Sequence, residues 1–225
     1  MKDNNIVLEK HEVTKKQIFL GVGLILLYFS EYLWADYIPE KIIPIVMIVW
    51  NILLIFLAII IYFNDLKRDF KLLLNNFKQY FPFCLKYWGI LLGLNLFCSI
   101  IVGIFSESVV SVNQETINSL PLYYTIPASI IYAPIVEETI FRGVIRKLFK
   151  NNVLFVIVSA LAFGFIHITS EPTLIMAVVH SLPYVSMGAV LAIVYVKTNN
   201  ITASMTVHAT QNTFSTILQL LIRIM

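Results

Sequence analysis

The chain has 225 residues, 59% of them hydrophobic and 13% charged, with a formal net charge of +3. Soluble domains run nearer to about 45–50% apolar and about 25% charged, so these values, with a mean hydropathy of +0.83, exclude a water-soluble domain and describe an integral membrane protein. Cys84 and Cys98 stand in no metal-ligand or redox spacing and read as small apolar residues at or in membrane spans.

The first sixteen residues include Lys2, Asp3, Glu9, Lys10, Glu12, Lys15 and Lys16. They are too polar for a cleaved signal peptide and read as a cytoplasmic tail over 1–16. A single multi-span domain is expected over 17–225. A helix crosses a bilayer with about 20 mostly apolar residues. By that measure the spans are expected at 17–37, broken only by Glu31, and then at 42–63 and 87–105. A Pro-containing stretch follows from about 120 to 149. The last three are at 153–168, at 173–196 with Pro183 in its middle, and at 201–224. The expected fold is therefore an all-α polytopic membrane protein with about seven transmembrane helices and a broken or re-entrant segment near 172–183. Residues 64–86 mix Lys67, Arg68, Lys71 and Lys78 with Leu72, Leu73, Leu74, Phe77 and Phe81. They read as an amphipathic helix on the inner leaflet or as an ordinary basic loop.

Basic residues set the orientation. With the N-terminus in the cytoplasm, every Lys and Arg except Lys41 and Arg223 falls on the inner side. The expectation is a multi-pass protein of the cell membrane with its N-terminus cytoplasmic and its C-terminus outside.

The stretch 133–146, APIVEETIFRGVIR, sets two adjacent acids in this apolar background. A charged group at the bilayer centre costs at least about 2.5–3.5 kcal/mol, so Glu137 and Glu138 need a reason to be there. Arg142 follows Glu138 by one helical turn. His167, preceded by Phe163, closes the fifth expected span, and His208 and Asn212 share one face of the seventh. At 1.5 Å per residue these groups lie roughly 10–24 Å from the cytoplasmic ends of their spans, which allows them to converge. Each has a plainer reading. Glu138 and Arg142 make an i,i+4 ion pair, His167 is an interfacial histidine, His208 and Asn212 are interhelical glue, and Phe163 packs. His180, beside Pro183, reads as structural, and His11 as incidental.

A glutamate in a poorly hydrated cavity takes a proton from water more readily than a solvated one. A histidine can hold the same water, and His N–H and Asn NH2 groups can donate to an oxyanion. Glu137, Glu138, His167, His208 and Asn212 thus supply parts for amide hydrolysis without a covalent intermediate, Arg142 and Phe163 supporting them. Zinc held by Glu137, His167 and His208 is the alternative to a cofactor-free site. No HExxH is present. A transporter using the acids as a proton relay is a third reading of the same groups. No phosphate loop and no nucleic-acid module is present, so the expected partners are membrane lipid and a peptide or protein substrate, not nucleic acid.

Three motifs, EExxxR at Glu137, Glu138 and Arg142, FxxxH at Phe163 and His167, and HxxxN at His208 and Asn212, occur in that order over 120–213. In this the chain resembles the CPBP family of CAAX proteases and bacteriocin-processing enzymes, also called Abi. The resemblance implies a helical membrane domain with its catalytic core at about 120–213 and an intramembrane, glutamate-dependent endopeptidase related to the type II CAAX prenyl endopeptidases. It makes Glu137 the water-activating base aided by His167, Glu138 a support, Arg142 a tie, and His208 with Asn212 the oxyanion hole. Eukaryotic members cut prenylated proteins; bacterial members act in peptide maturation or bacteriocin self-immunity, or as non-proteolytic partners of signalling proteins. The implied substrate is therefore membrane-associated, lipidated or a secreted-peptide precursor, the alternative being a catalytically silent partner or immunity protein of the same fold.

Overall fold

The computed structural model describes residues 14–106, 108 and 110–224, and every regular element among them is a helix. Helix α1 (Lys15–Trp34) starts where Thr14 Oγ1 accepts from Gln17 N. Helices α2 (Ile43–Asn75) and α3 (Phe77–Phe105) follow one another with a turn at Asn76. A short polar helix, α4 (Val112–Ser119), is capped by Ser111. Three short pieces follow, α5 (Leu122–Pro127), α6 (Ala133–Glu138) and α7 (Ile145–Leu148), joined by π turns over Ala128–Tyr132 and Thr139–Val144. The chain ends with α8 (Asn152–Phe165), α9 (Leu174–Thr198) and α10 (Ile201–Ile224).

This is a multi-pass membrane protein. Seven helical stretches, α1, α2, α3, the α5–α7 segment, α8, α9 and α10, make up most of the described chain. Four of these stretches, Lys15–Tyr37, Ile43–Asn75, Phe77–Phe105 and Leu174–Thr198, are long and apolar enough to cross a bilayer on their own. Phe19, Leu26, Ile52, Phe56, Leu96 and Phe97 stand exposed on α1, α2 and α3. Large apolar side chains in that number on an outer face are what a lipid surround accepts and water does not.

Two expectations are corrected. The segment 172–183 is neither broken nor re-entrant. A turn closes at Glu171, Thr173 caps Met176 N, and α9 continues unbroken through Pro183 to Thr198. One proline removes one backbone bond, whereas breaking a helix within the hydrocarbon would orphan several. The irregular backbone lies instead at 128–144. The basic segment 64–86 is neither a separate surface helix nor a loop but the meeting point of α2 and α3. Backbone angles leave the helical region at Tyr62 (φ −110°, ψ 17°), and beyond that kink the arm turns two acids inward.

Those acids tie one end of the bundle together. Asp65 accepts from Gln17 Nε2 at 2.8 Å and from Lys147 Nζ at 3.1 Å. Asp69 caps the start of α10, its Oδ2 accepting from Ile201 N at 2.7 Å, while Asn200 Nδ2 donates to its backbone carbonyl. The first N–H groups of α10 thereby gain a buried carboxylate. Lys15, Lys16, Lys67, Arg68, Lys71, Arg146, Lys147 and Lys197 gather at this same end. The tail expected over 1–16 lies outside the described residues as far as residue 13, and Lys15 and Lys16 already belong to α1.

Candidate functional site

The site is built around the broken segment 122–148. Pro134 has no N–H, and Ala133 N bonds to the carbonyl of Ala128. Neither donor that normally serves the Ser129 carbonyl is therefore available. Asn212 Nδ2 fills the vacancy from α10 at 2.8 Å. The second π turn frees the Phe141 carbonyl, and Ser159 Oγ of α8 donates to it at 2.9 Å. Each widened turn is thus stitched to a neighbouring helix by a polar side chain.

Glu137 and Glu138 are both buried, yet their surroundings differ. Glu138 is fully enclosed. Its Oε1 accepts from Arg142 Nη1 at 2.9 Å and from His208 Nδ1 at 2.9 Å, and Ser204 Oγ donates to Oε2. Arg142, equally enclosed, also donates from Nη2 to the Gly188 carbonyl of α9 at 2.9 Å and lies over the Phe163 ring, 5.0 Å from its centroid. That approach needs the glycine. A Cβ at Gly188 would meet Ala160 Cα at 2.9 Å and Phe163 Cβ at 3.0 Å. Glu137 instead lines a cavity of about 490 Å³, together with Phe163, His167, Tyr184, His208 and Asn212. The Tyr28 hydroxyl reaches Glu137 from α1, and His208 Nε2 stands 3.9 Å from its Oε2.

His167 follows the last turn of α8. That helix has only 14 residues, about 21 Å, which is short of the hydrocarbon thickness and leaves its terminal histidine inside the protein. The imidazole is held on both sides. Nδ1 donates to the Phe163 carbonyl at 2.8 Å, and the ring stacks on Tyr184 at 4.3 Å and 14°. Since a carbonyl only accepts, Nε2 is left with its lone pair toward the cavity. His208 is fixed in the same sense, Nδ1 toward Glu138 and Nε2 toward Glu137.

All seven residues singled out by motif therefore meet at one place. Five of them, Glu137, Phe163, His167, His208 and Asn212, line the cavity; Glu138 and Arg142 stand behind it. Among the described residues no three His, Cys, Asp or Glu side chains are disposed to share a metal ion. Sequence reasoning missed Tyr28, Ser204 and Tyr184. Ser204 precedes His208 by one helical turn, a spacing that points it at the same partner. Nothing in the sequence distinguishes Tyr28 or Tyr184 from the other tyrosines. His180, read as structural, is buried in α9 with its Nδ1 2.9 Å from Glu171 Oε1 and its Nε2 near Ser106 Oγ and the Ser108 carbonyl. Glu171 also accepts from Val112 N, so this pair fastens the start of α4 to α9.

Residues 119–214 match the family model described as Type II CAAX prenyl endopeptidase Rce1-like. This part of the chain is similar to that family. All three motifs fall inside the matched region, which nearly coincides with 120–213. Among curated proteins, "UPF0177 protein YaiH" of Lactococcus lactis is 35% identical over 82 residues, 36% of this chain and 32% of the relative. "Putative membrane peptidase YdiL" of Bacillus subtilis is 31% identical over 135 residues, 56% of this chain and 52% of the relative. The chain thus spans about half the length, or less, of the curated relatives it matches. No solved structure matches it. At the level of the prenyl-endopeptidase family, the relationship is to membrane proteases.

Proposed function

We propose that this protein is a membrane-embedded endopeptidase in which Glu137 activates a water molecule against a peptide carbonyl. The observation that carries the reading is the separation of the two acids. Glu138 spends its carboxylate on Arg142, His208 and Ser204, whereas Glu137 faces the cavity. Water between Glu137 and His167 gives up a proton to Glu137 while the His167 Nε2 lone pair accepts its other hydrogen, aiming the oxygen at the carbonyl carbon. A proton on His208 Nε2, balanced by Glu138 across the ring, donates to the oxyanion, and the Asn212 amide hydrogen not used by Ser129 is the second donor. Glu137 then returns its proton to the leaving amine. No cofactor takes part in this scheme.

The cavity is walled by the end of α1, the start of α2, α4 and the end of α10. That is the end opposite the Lys/Arg-rich belt. With the basic end cytoplasmic, the mouth opens outside, and the substrate is a lipidated or secreted peptide presented from the outer leaflet.

The test is peptide profiling of membranes carrying the wild type or Glu137→Gln. Products that vanish with the variant support the reading. Identical profiles, with phenotype intact, replace it by the non-catalytic partner or immunity protein of the same fold. Activity lost in chelator and restored by zinc would replace the cofactor-free scheme by the metal one.

A further inference from the structure

Glu31 is an acid without a counterpart. It sits in the last turn of α1, a position where the helix dipole disfavours negative charge and where no basic residue offsets it. Its carboxylate makes no hydrogen bond or ion pair among the described residues. Yet it is not simply hydrated surface, since it forms part of the wall of the cavity that holds Glu137. The described residues on that wall include no Lys or Arg to neutralise it. Tyr124 and Tyr132 line the same wall, and Tyr28 and Tyr32 stand within electrostatic reach of the carboxylate. A carboxylate among tyrosine rings is a site suited to a cation, through charge and through the ring faces.

The distance from the chemistry follows from α1. Tyr28, which reaches Glu137, lies three residues before Glu31 and on the same face. Glu31 is therefore about 4.5 Å further along the axis, toward the mouth. An extended peptide advances about 3.3–3.6 Å per residue, so a group at Glu31 belongs to a residue within about three positions of the bond at Glu137.

We infer that Glu31 is the specificity-determining residue of a subsite for a Lys or Arg side chain close to the scissile bond of the substrate. The inference rests on the peptidase reading above and adds the substrate class, a basic peptide.

The purified full chain in detergent is given internally quenched peptide libraries of random background, with Lys, Arg, Gln or Glu fixed at one position at a time. At one position, kcat/KM for Lys or Arg is expected to exceed that for Gln at least about tenfold. Glu31→Gln is expected to bring that ratio to within about twofold, and Glu31→Lys to shift preference toward Glu. A ratio does not depend on the fraction of folded enzyme. Cleavage that requires Glu137 but shows no basic preference, or a preference that survives Glu31→Gln, overturns the subsite and leaves the peptidase standing. If nothing is cleaved, the peptidase reading fails, and the same Lys and Gln peptides are titrated onto the Glu137→Gln protein. About tenfold tighter binding of the Lys peptide, removed by adding Glu31→Gln, supports the subsite; equal affinities overturn it.

Discussion

Helices α2 and α10 contact one another in the same bundle, yet they meet the membrane on different terms. α2 is apolar over most of its length and shows Val49, Ile52, Phe56 and Ile60 on its exposed side. α10 carries a hydroxyl, amide or imidazole at most positions from Thr202 to Thr216 and does not reach the apolarity of an independent span. It survives there because those groups are answered locally. Thr206, Thr210 and Thr213 return their hydroxyls to carbonyls one turn back, and Ser204, His208 and Asn212 spend theirs on Glu138 and Ser129. The three stretches that fall short as spans, the α5–α7 segment, α8 and α10, carry the motif residues, His167 just past the end of α8. α1–α3 and α9 provide apolar length, and behind that frame a polar constellation becomes affordable. The polar motif residues of this protein sit where single-helix hydropathy is weakest.

That contrast can be broken at several points. The largest effect is expected at Glu137, where Glu137→Gln should lower peptide hydrolysis by about 10²–10⁴ with the fold retained, checked by turnover together with thermal unfolding in detergent. An unfolded variant would mean that the Glu137 carboxylate serves structure, as Glu138 does. Next comes Arg142→Ala, which strands Glu138 and the Gly188 carbonyl in a closed interior. Removing one partner of such a pair costs about 3–5 kcal/mol, so little folded protein should be recovered. Near-wild-type stability would show that Ser204 and His208 hold Glu138 without it. Gly188→Val tests the packing behind the site. Forcing α8 and α9 apart should cost about 1–3 kcal/mol and weaken turnover through Arg142, with Ser186→Ala, two residues earlier on α9, as the control. The smallest effects belong to the frame. Phe56→Leu and Leu96→Ile, singly, should stay within about 0.5 kcal/mol and leave turnover alone; a large loss at either would mean that a protein partner, not lipid, covers that face.

The site was more legible than the backbone that forms it. Glu137, Glu138, Arg142, Phe163, His167, His208 and Asn212 are visible in the sequence because polar groups in apolar runs are conspicuous, and i,i+4 spacing gives two of the three motifs a face. Which acid faces the cavity was not visible by spacing, since neighbours on a helix differ by about 100° and either can point inward. The placement of Pro183 and Pro134 was likewise hidden. Pro183 read as the middle of a broken segment yet sits inside an unbroken α9, while Pro134, in an expected span, frees the Ser129 carbonyl that Asn212 takes. Asp65 and Asp69 looked like part of a basic surface segment, but the kink at Tyr62 turns them into the caps and ion-pair partners of α10 and Lys147.

Composition and charge placement by themselves determined an all-helical membrane protein and picked out a short set of polar groups set in apolar runs. Those follow from the cost of polar atoms in hydrocarbon, which is a property of each residue and its neighbours along the chain. Only the tertiary structure decided that Glu138 is enclosed and Glu137 open, that both histidines turn Nε2 toward one cavity, and that Glu31 shares its wall. These depend on which helix supplies a partner across the bundle, and nothing local to the chain records that.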